Sequence, residues 1–220
     1  MMPRKFHILM GDVISSSKRD PIELQQQLKA VILSANKQLS DRLLSPYTTT
    51  LGDEFQGVAK SLVASVRTLF VLEEEILRRG FSFKFHYVAH FGAIVTPINP
   101  EIAYEMMGPG LAEARALLVA KQRKRPRFTF EYGDPRISRM LNGLFMVVAG
   151  VVDSWKMRDF PLVVDLLENS NDSQVGTKWG KDRTLIWRRR NSLRTDEYLA
   201  LRSSLLDVCA IIEQHSAASR

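Results

Sequence analysis

The chain has 220 residues, 31 basic and 24 acidic side chains, and a formal net charge of +7. Its 45% apolar and 25% charged content is that of a folded globular protein and excludes wholesale disorder. A single cysteine, Cys209, excludes an intrachain disulfide framework and a cysteine metal cage. The charge is uneven: residues 1–118 hold 13 basic and 12 acidic side chains, and residues 119–220 hold 18 and 12. Residues 173–194 alone carry seven basic side chains against Asp182. Such a concentration points to one surface that meets a polyanion. The longest apolar run, 143–152, is about half the ~20 residues a membrane helix needs. Asp12 interrupts the apolar stretch after Arg4 and Lys5, unlike a signal peptide. These features predict a soluble, cytoplasmic protein with no membrane partner.

In chain order, residues 6–11 form a short apolar run that predicts a buried strand ending at Gly11-Asp12. Pro21 opens a helical pattern with Leu24, Leu28, Val31, Ala35, Leu39 and Leu43 on one face, stopped by Ser45-Pro46. Residues 47–51 and 54–59 predict a hairpin with Gly52-Asp53 at its tip. A second helix spans 61–79, with Gly80 as its stop. Alternation over 81–95 predicts a strand, with Phe81 to Val95 at odd positions on one face and Ser82, Lys84, His86 and His90 on the other. Residues 97–120 predict two helical pieces broken at Gly108-Pro109-Gly110, and 127–132 a further strand. Beyond Gly133-Asp134-Pro135 only helices and short turns follow. The expected order is β-α-β-β-α-β-α-β and then all-helical.

Two carboxylates stand where strands end, Asp12 after the first strand and Asp53 in the hairpin. In a β-α-β-β sheet the first strand and the hairpin are neighbours, so the two can converge at one end. Paired carboxylates with open coordination positions suit Mg²⁺, which takes one or two protein carboxylates and the phosphates of a substrate. The loop Ser15-Ser16-Ser17 can offer amide and hydroxyl groups to phosphates near the start of the long helix. Gly-Asp is equally a common turn dipeptide, and serine-rich segments are common caps.

Residues 11–17, Gly-Asp-Val-Ile-Ser-Ser-Ser, and 51–57, Leu-Gly-Asp-Glu-Phe-Gln-Gly, resemble the two signature blocks of the SatD family. Both blocks are also similar to those of class III nucleotide cyclases and GGDEF-type diguanylate cyclases, which share a palm-like core. The resemblance implies metal ligands at Asp12 and Asp53, with the Val13 backbone carbonyl and Glu54 as further candidates. It implies Mg²⁺ or Mn²⁺ as cofactor and a nucleoside triphosphate as ligand. Residues 86–92 and 107–117 resemble the strand and the loop-helix that complete a cyclase site. There the sequence departs from the enzymes: Ala112 and Ala116 stand where cyclases place an Asn and an Arg, and Arg115 is the nearby candidate. The candidate nucleotide-binding residues are Ser15, Ser16, Ser17, Arg115 and Lys121.

His86 and His90 sit four apart on a strand, about 13 Å at ~3.3 Å per residue, too far for one ion. They read as sheet-face or partly buried histidines. Lys121, Arg123, Lys124, Arg125 and Arg127 read as a helix end running into a solvated loop, with a phosphate clamp as the sharper alternative.

Residues 173–193 have helix-turn-helix spacing. Val175 and Gly176 pack the first helix on the second, Trp179 is a further core position, Gly180 turns the chain and Asp182 caps the next helix. Ile186 and Leu193 dock that helix, leaving Arg183, Thr184, Trp187, Arg188 and Asn191 outward, with Arg194 at its end. Arg reads guanine edges and Asn reads adenine, so this face suits double-stranded DNA. The SatD resemblance implies a helix-turn-helix beginning at Gln174, although Arg190 stands where that pattern has an apolar residue. The closing helix, 196–213, has Leu199, Leu206 and Ile212 in one stripe, to pack on the tail or dimerise.

The expected fold is α+β: a palm- or ferredoxin-like, cyclase-like domain over 1–133, then a helical region over 134–220 with the helix-turn-helix at about 159–193. The favoured function is a DNA-binding regulator of transcription whose cyclase-like domain binds a divalent metal and a nucleotide, acting as a homodimer. The alternatives are an active metal-dependent nucleotidyl transferase or cyclase, and an inert scaffold for dimeric DNA binding.

Overall fold

A computed structural model describes residues 4–120 and 126–218, with side chains described as far as residue 215. The elements run β1 (Lys5–Val13), α1 (Pro21–Leu39), β2 (Leu43–Thr50), β3 (Glu54–Ala59), α2 (Leu62–Arg79), β4 (Phe85–Ala93), α3 (Pro109–Val119), β5 (Phe128–Glu131), α4 (Pro135–Val152), α5 (Phe160–Glu168), α6 (Asp172–Trp179), α7 (Arg183–Leu193) and α8 (Thr195–Ala218). The five strands form one sheet in the order β2-β3-β1-β4-β5. Neighbours are antiparallel except β4 and β5. This is the β-α-β-β-α-β palm arrangement, with an added α3–β5 unit and a helical C-terminal part, and the class is α+β.

The central strand β1 is apolar on both faces because both are covered. Leu9 and Val13 join the cluster under α1 and α2. Phe6, Ile8 and Met10 join Ala114 and Leu118 of α3 on the other face. Local chemistry bounds the helices. Asp20 accepts a hydrogen bond from the Glu23 amide at 2.8 Å and Pro21 opens the first turn of α1. Ser61 caps α2 and Gly80 ends it at φ 66°.

Several expectations are corrected. The helix from Pro21 stops at Leu39, and Leu43 already belongs to β2. Ser45-Pro46 does not end a helix but lies in an edge strand, at the register shifts between Leu43 and Thr48, where proline is tolerated because no neighbour needs its amide. The fourth strand begins at Phe85 rather than Phe81. Residues 94–108 contain no helix. They run as a strap held to the hairpin edge by Gln56 to the Ala103 carbonyl, Ala103 N to Thr48 Oγ1 at 3.0 Å, and the Tyr104 hydroxyl to the Thr49 carbonyl at 2.6 Å.

Arg127 is not in a solvated loop. Its guanidinium is buried and meets Glu73 and Asp153, each at 2.6 Å, and the Phe85 carbonyl at 3.2 Å, while the Tyr87 hydroxyl donates to Glu73. Burial opposes its charge, but the two carboxylates outweigh that and its pKa is raised. The other cations expected in that run, 121–125, lie outside the described residues.

The C-terminal helices pack on the palm through α2 and on the adjoining strand β5. Buried side chains from Leu9 through Tyr198 to Cys209 form one continuous cluster. Among the described residues one helix, α4, is long and apolar enough to cross a membrane by length and composition. Its inner face, Leu141, Phe145, Val148 and Val152, belongs to this core.

Candidate functional site

The register of β1 decides which polar groups meet at its end. Asp12 lies opposite Glu54 on β3 and opposite His86 on β4. Directly opposite residues share a face, and even-numbered positions of β1 face α3. Asp12, Glu54 and His86 therefore form one row on the α3 side, beyond the last apolar residue, Met10. The tip of the hairpin turns through Leu51 at φ 32° and Gly52 at φ 89°. It places the Asp53 carbonyl against the Val13 amide at 3.1 Å. Asp12 and Asp53 are thus brought to the same end of the sheet, with Glu54 rather than Asp53 directly across from Asp12.

The signature glycines have packing reasons. A Cβ on Gly11 would overlap the ring of Phe55, and one on Gly57 would overlap Tyr47. Phe55 and Tyr47 pack edge to face, ring centroids 5.8 Å apart, in the core below the site.

Helix α3 reaches the row because it starts almost on top of β4. A Cβ on Gly110 would lie 2.5 Å from the Gly92 carbonyl carbon, and one on Gly108 would lie 2.5 Å from the Ala93 oxygen. From that start Arg115 extends to Glu54, Nη2 to Oε2 at 3.1 Å, with the Glu54 side chain only 13% exposed. Glu113 meets the buried His90 at 2.9 Å. His86 places Nδ1 3.3 Å from the Pro126 carbonyl. Ala112 and Ala116 are exposed on the outer face of α3.

The donor set is of the right type for a hard cation: carboxylate oxygens on rigid strand and turn positions. Among the described residues no three His, Cys, Asp or Glu side chains converge as a preformed ligand group. Mg²⁺ does not require one, because it keeps waters and takes phosphate oxygens. Asp12 and Glu54, with Asp53 beside them, fit a cation that arrives with a nucleotide. Such a cation would neutralise phosphate charge at this edge.

Ser15 adopts φ 57° and Ser16–Lys18 forms one tight turn, with Lys18 N bonded to the Ser15 carbonyl at 3.1 Å. Ser15 and Ser17 are exposed and Ser16 half-buried. The start of α1 is already capped by Asp20. Lys121 lies outside the described residues.

At the other end of the molecule, α6 and α7 are joined by Gly180, Lys181 and Asp182. Val175, Gly176, Ile186 and Leu193 are buried between them and their neighbours. A Cβ on Gly176 would lie 2.6 Å from the Lys181 carbonyl oxygen, so the turn presses directly on α6. Trp179 is not a core residue: it is exposed, and its indole donates to Asp165 at 2.7 Å. Arg183, Thr184, Trp187, Arg188, Asn191 and Arg194 are all exposed. Among the described residues the side chains of the first five make no hydrogen bond or ion pair, and Arg194 lies 4.0 Å from Glu197.

Arg190 stands where the family pattern has an apolar residue, and the fold gives it an interior role. It is buried, reaching Asp172 at 2.7 Å, Asp196 at 3.3 Å, and the carbonyls of Leu166 and Asn169 at 2.9 and 2.7 Å. Its position between Ile186 and Leu193 on the inward stripe was the available signal. Glu54 with Arg115 carried none, since a separation of 61 positions hides the meeting.

A palm-like α+β chain with carboxylates at the end of its central strand and in the adjoining hairpin defines the class. The SatD family profile matches residues 6–178, and the chain belongs to the SatD family. Solved structures similar to it include the catalytic core of a rhodopsin-guanylyl cyclase with converted specificity in complex with ATPαS, at 11% identity and TM-score 0.32, over 55% of this chain and 74% of that one. Another is the guanylyl cyclase Cya2, at 10% identity and TM-score 0.29, over 53% and 72%. No curated protein matches.

Proposed function

We propose that this SatD-family chain is a DNA-binding regulator whose palm-like part binds a divalent cation together with a nucleoside triphosphate. The observation that carries the reading is the outward row on α7. Arg183, Thr184, Trp187, Arg188 and Asn191 have side chains with no partner among the described residues, on a helix held rigidly from behind by the buried Arg190. Unpaired arginines beside an exposed Trp, on a helix N-capped by Asp182, suit the major groove of double-stranded DNA. The tight Gly176–Lys181 turn supports a helix-turn-helix reading of α6 and α7.

At the palm, Asp12, Asp53 and Glu54 are the ligands proposed for Mg²⁺ or Mn²⁺. The Val13 carbonyl is a further candidate. Arg115 and the Ser15–Ser17 loop are proposed to face the nucleotide. Ala112 and Ala116 present only methyl groups on the exposed side of α3, which favours binding over turnover. Nucleotide and DNA are coupled only to the extent that the nucleotide prefers one DNA-binding state.

Fluorescence anisotropy with duplex DNA over a salt series tests the reading. Binding is expected to weaken steeply with salt, to fall in Arg188→Ala, and to shift when Mg²⁺ and a nucleoside triphosphate are added. Absence of salt-dependent duplex binding removes the DNA reading. Absence of a thermal shift with Mg²⁺ and each triphosphate removes the palm assignment independently.

A further inference from the structure

We propose that the outward face of α4 is a two-fold interface between two copies of this chain, formed by antiparallel packing of α4 on α4. The helix divides cleanly. Leu141, Phe145, Val148, Val151 and Val152 enter the core. Arg139, Met140, Gly143, Met146, Val147 and Gly150 recur at helical spacing on the opposite side and are exposed. Met146 is 71% and Val147 44% accessible. An apolar stripe on the side away from the core calls for a partner.

Two observations make a second copy the occupant. The first is register. An antiparallel axis between Met146 and Val147 sets Met146 against the other copy's Val147, Gly143 against its Gly150, and Met140 against its Asp153. Cβ positions built on Gly143 and Gly150 meet nothing within 4 Å. Glycine thus meets glycine about one helical turn to either side of the crossing, and the large side chains fill the centre. This near-palindrome along one stripe is what an isologous contact needs, because the same patch must serve both copies.

The second observation is charge. Arg136 and Arg139 stand at the N-terminal end of the stripe, and Arg139 makes no ion pair or hydrogen bond among the described residues. Asp153 stands at the other end. Its carboxylate is held by Lys84 at 2.8 Å and Arg127 at 2.6 Å, yet its side chain remains 35% exposed. Antiparallel packing brings Arg139 of each copy to the C-terminal end of its partner, where the helix dipole and Asp153 both favour a cation. A lipid surface fits the face less well. The inner half of α4 is committed to the core, so the helix cannot span a bilayer without dismantling Phe145 from Phe70, Phe128 and Phe130, and a peripheral contact would bury only Met140, Met146 and Val147 among its exposed large apolar side chains.

Sedimentation equilibrium of the full chain tests this. The wild type is expected to be dimeric, and Val147→Glu to weaken association by at least about tenfold with an unchanged far-ultraviolet circular dichroism spectrum. Oxidised Val147→Cys is expected to give a disulfide-linked dimer, whereas Leu33→Cys, on the exposed face of α1, gives none. A monomeric wild type, or a dimer unaffected by Val147→Glu and not cross-linked through Val147→Cys, overturns the proposal. Flotation of a monomeric wild type with phosphatidylcholine vesicles overturns it too and assigns the face to lipid.

Discussion

The ring of Phe55 fills the space that a side chain on Gly11 would need, and the two residues are direct partners across β1 and β3. One step along the same ladder, Asp12 faces Glu54. The glycine lets the aromatic core approach from one side while the carboxylates gather on the other. The Gly-Asp block thus joins a packing requirement to a polar one. Gly11→Ala is expected to destabilise the fold by about 1–3 kcal/mol through overpacking, read as a lower urea midpoint. Phe55→Leu in the same chain is expected to recover part of that loss. If the two changes simply add, the close approach is not what sets the residue.

Arg190 is the second point of stress. Its side chain is 5% exposed and that of Asp172 12%. Arg190→Ala leaves a mostly buried carboxylate and two carbonyls without their donor, a change of about 3–5 kcal/mol for a buried pair. Amide exchange is expected to speed up in α6 and α7 well before β1 and β4, because those strands share none of its partners. Uniform acceleration across the sheet would count against this local role.

Arg115 competes for the carboxylate that the palm reading gives to a cation. Removing it by Arg115→Gln is expected to raise Mn²⁺ affinity a few-fold, within about 1 kcal/mol, since its side chain is 42% exposed and solvent screens the pair. Asp12→Asn is expected to lower it. Titration followed by electron paramagnetic resonance reads both. Equal affinity in all three proteins would remove Glu54 and Asp12 from the ligand set.

Cys209 is buried, and burial, reinforced by the nearby Glu213 carboxylate, pushes its thiol up to about 12 from an ordinary 9.0. The folded state therefore favours the neutral thiol. Its stabilising effect is complete below the unfolded value and is lost as pH rises from about 9 toward 12. Cys209→Ser is expected to flatten that part of the stability curve, and the native thiol is expected to resist alkylation at pH 8 until the chain unfolds. Rapid labelling of the folded protein would contradict this.

Much of the fold was legible because it rests on local signals. Alternation, helical spacing, Pro21, Gly80 and Gly52-Asp53 sufficed for the order β-α-β-β-α-β-α-β and for a helical end. The errors fall where distant contacts override local pattern. Residues 97–107 look helical but are drawn out along the hairpin by bonds to Gln56, Thr48 and Thr49. Ser45-Pro46 looks like a helix stop but lies on a strand whose edge position tolerates proline. Trp179 looks like core but points to Asp165, while Arg190 looks polar and is buried.

The sequence by itself determined the two Gly-Asp blocks, the order of elements and the concentration of cations after residue 172, because each is written in neighbouring residues. Only the tertiary structure decided that Glu54 stands across from Asp12 and pairs with Arg115. It also decided that Arg127 and Arg190 are internal, and that α4 keeps an apolar face outside. Strand register and helix crossing set which distant side chains share a face. Neither is encoded in spacing along the chain. The net charge of +7 therefore conceals two kinds of arginine: those that hold the fold together from within and those left free on α7.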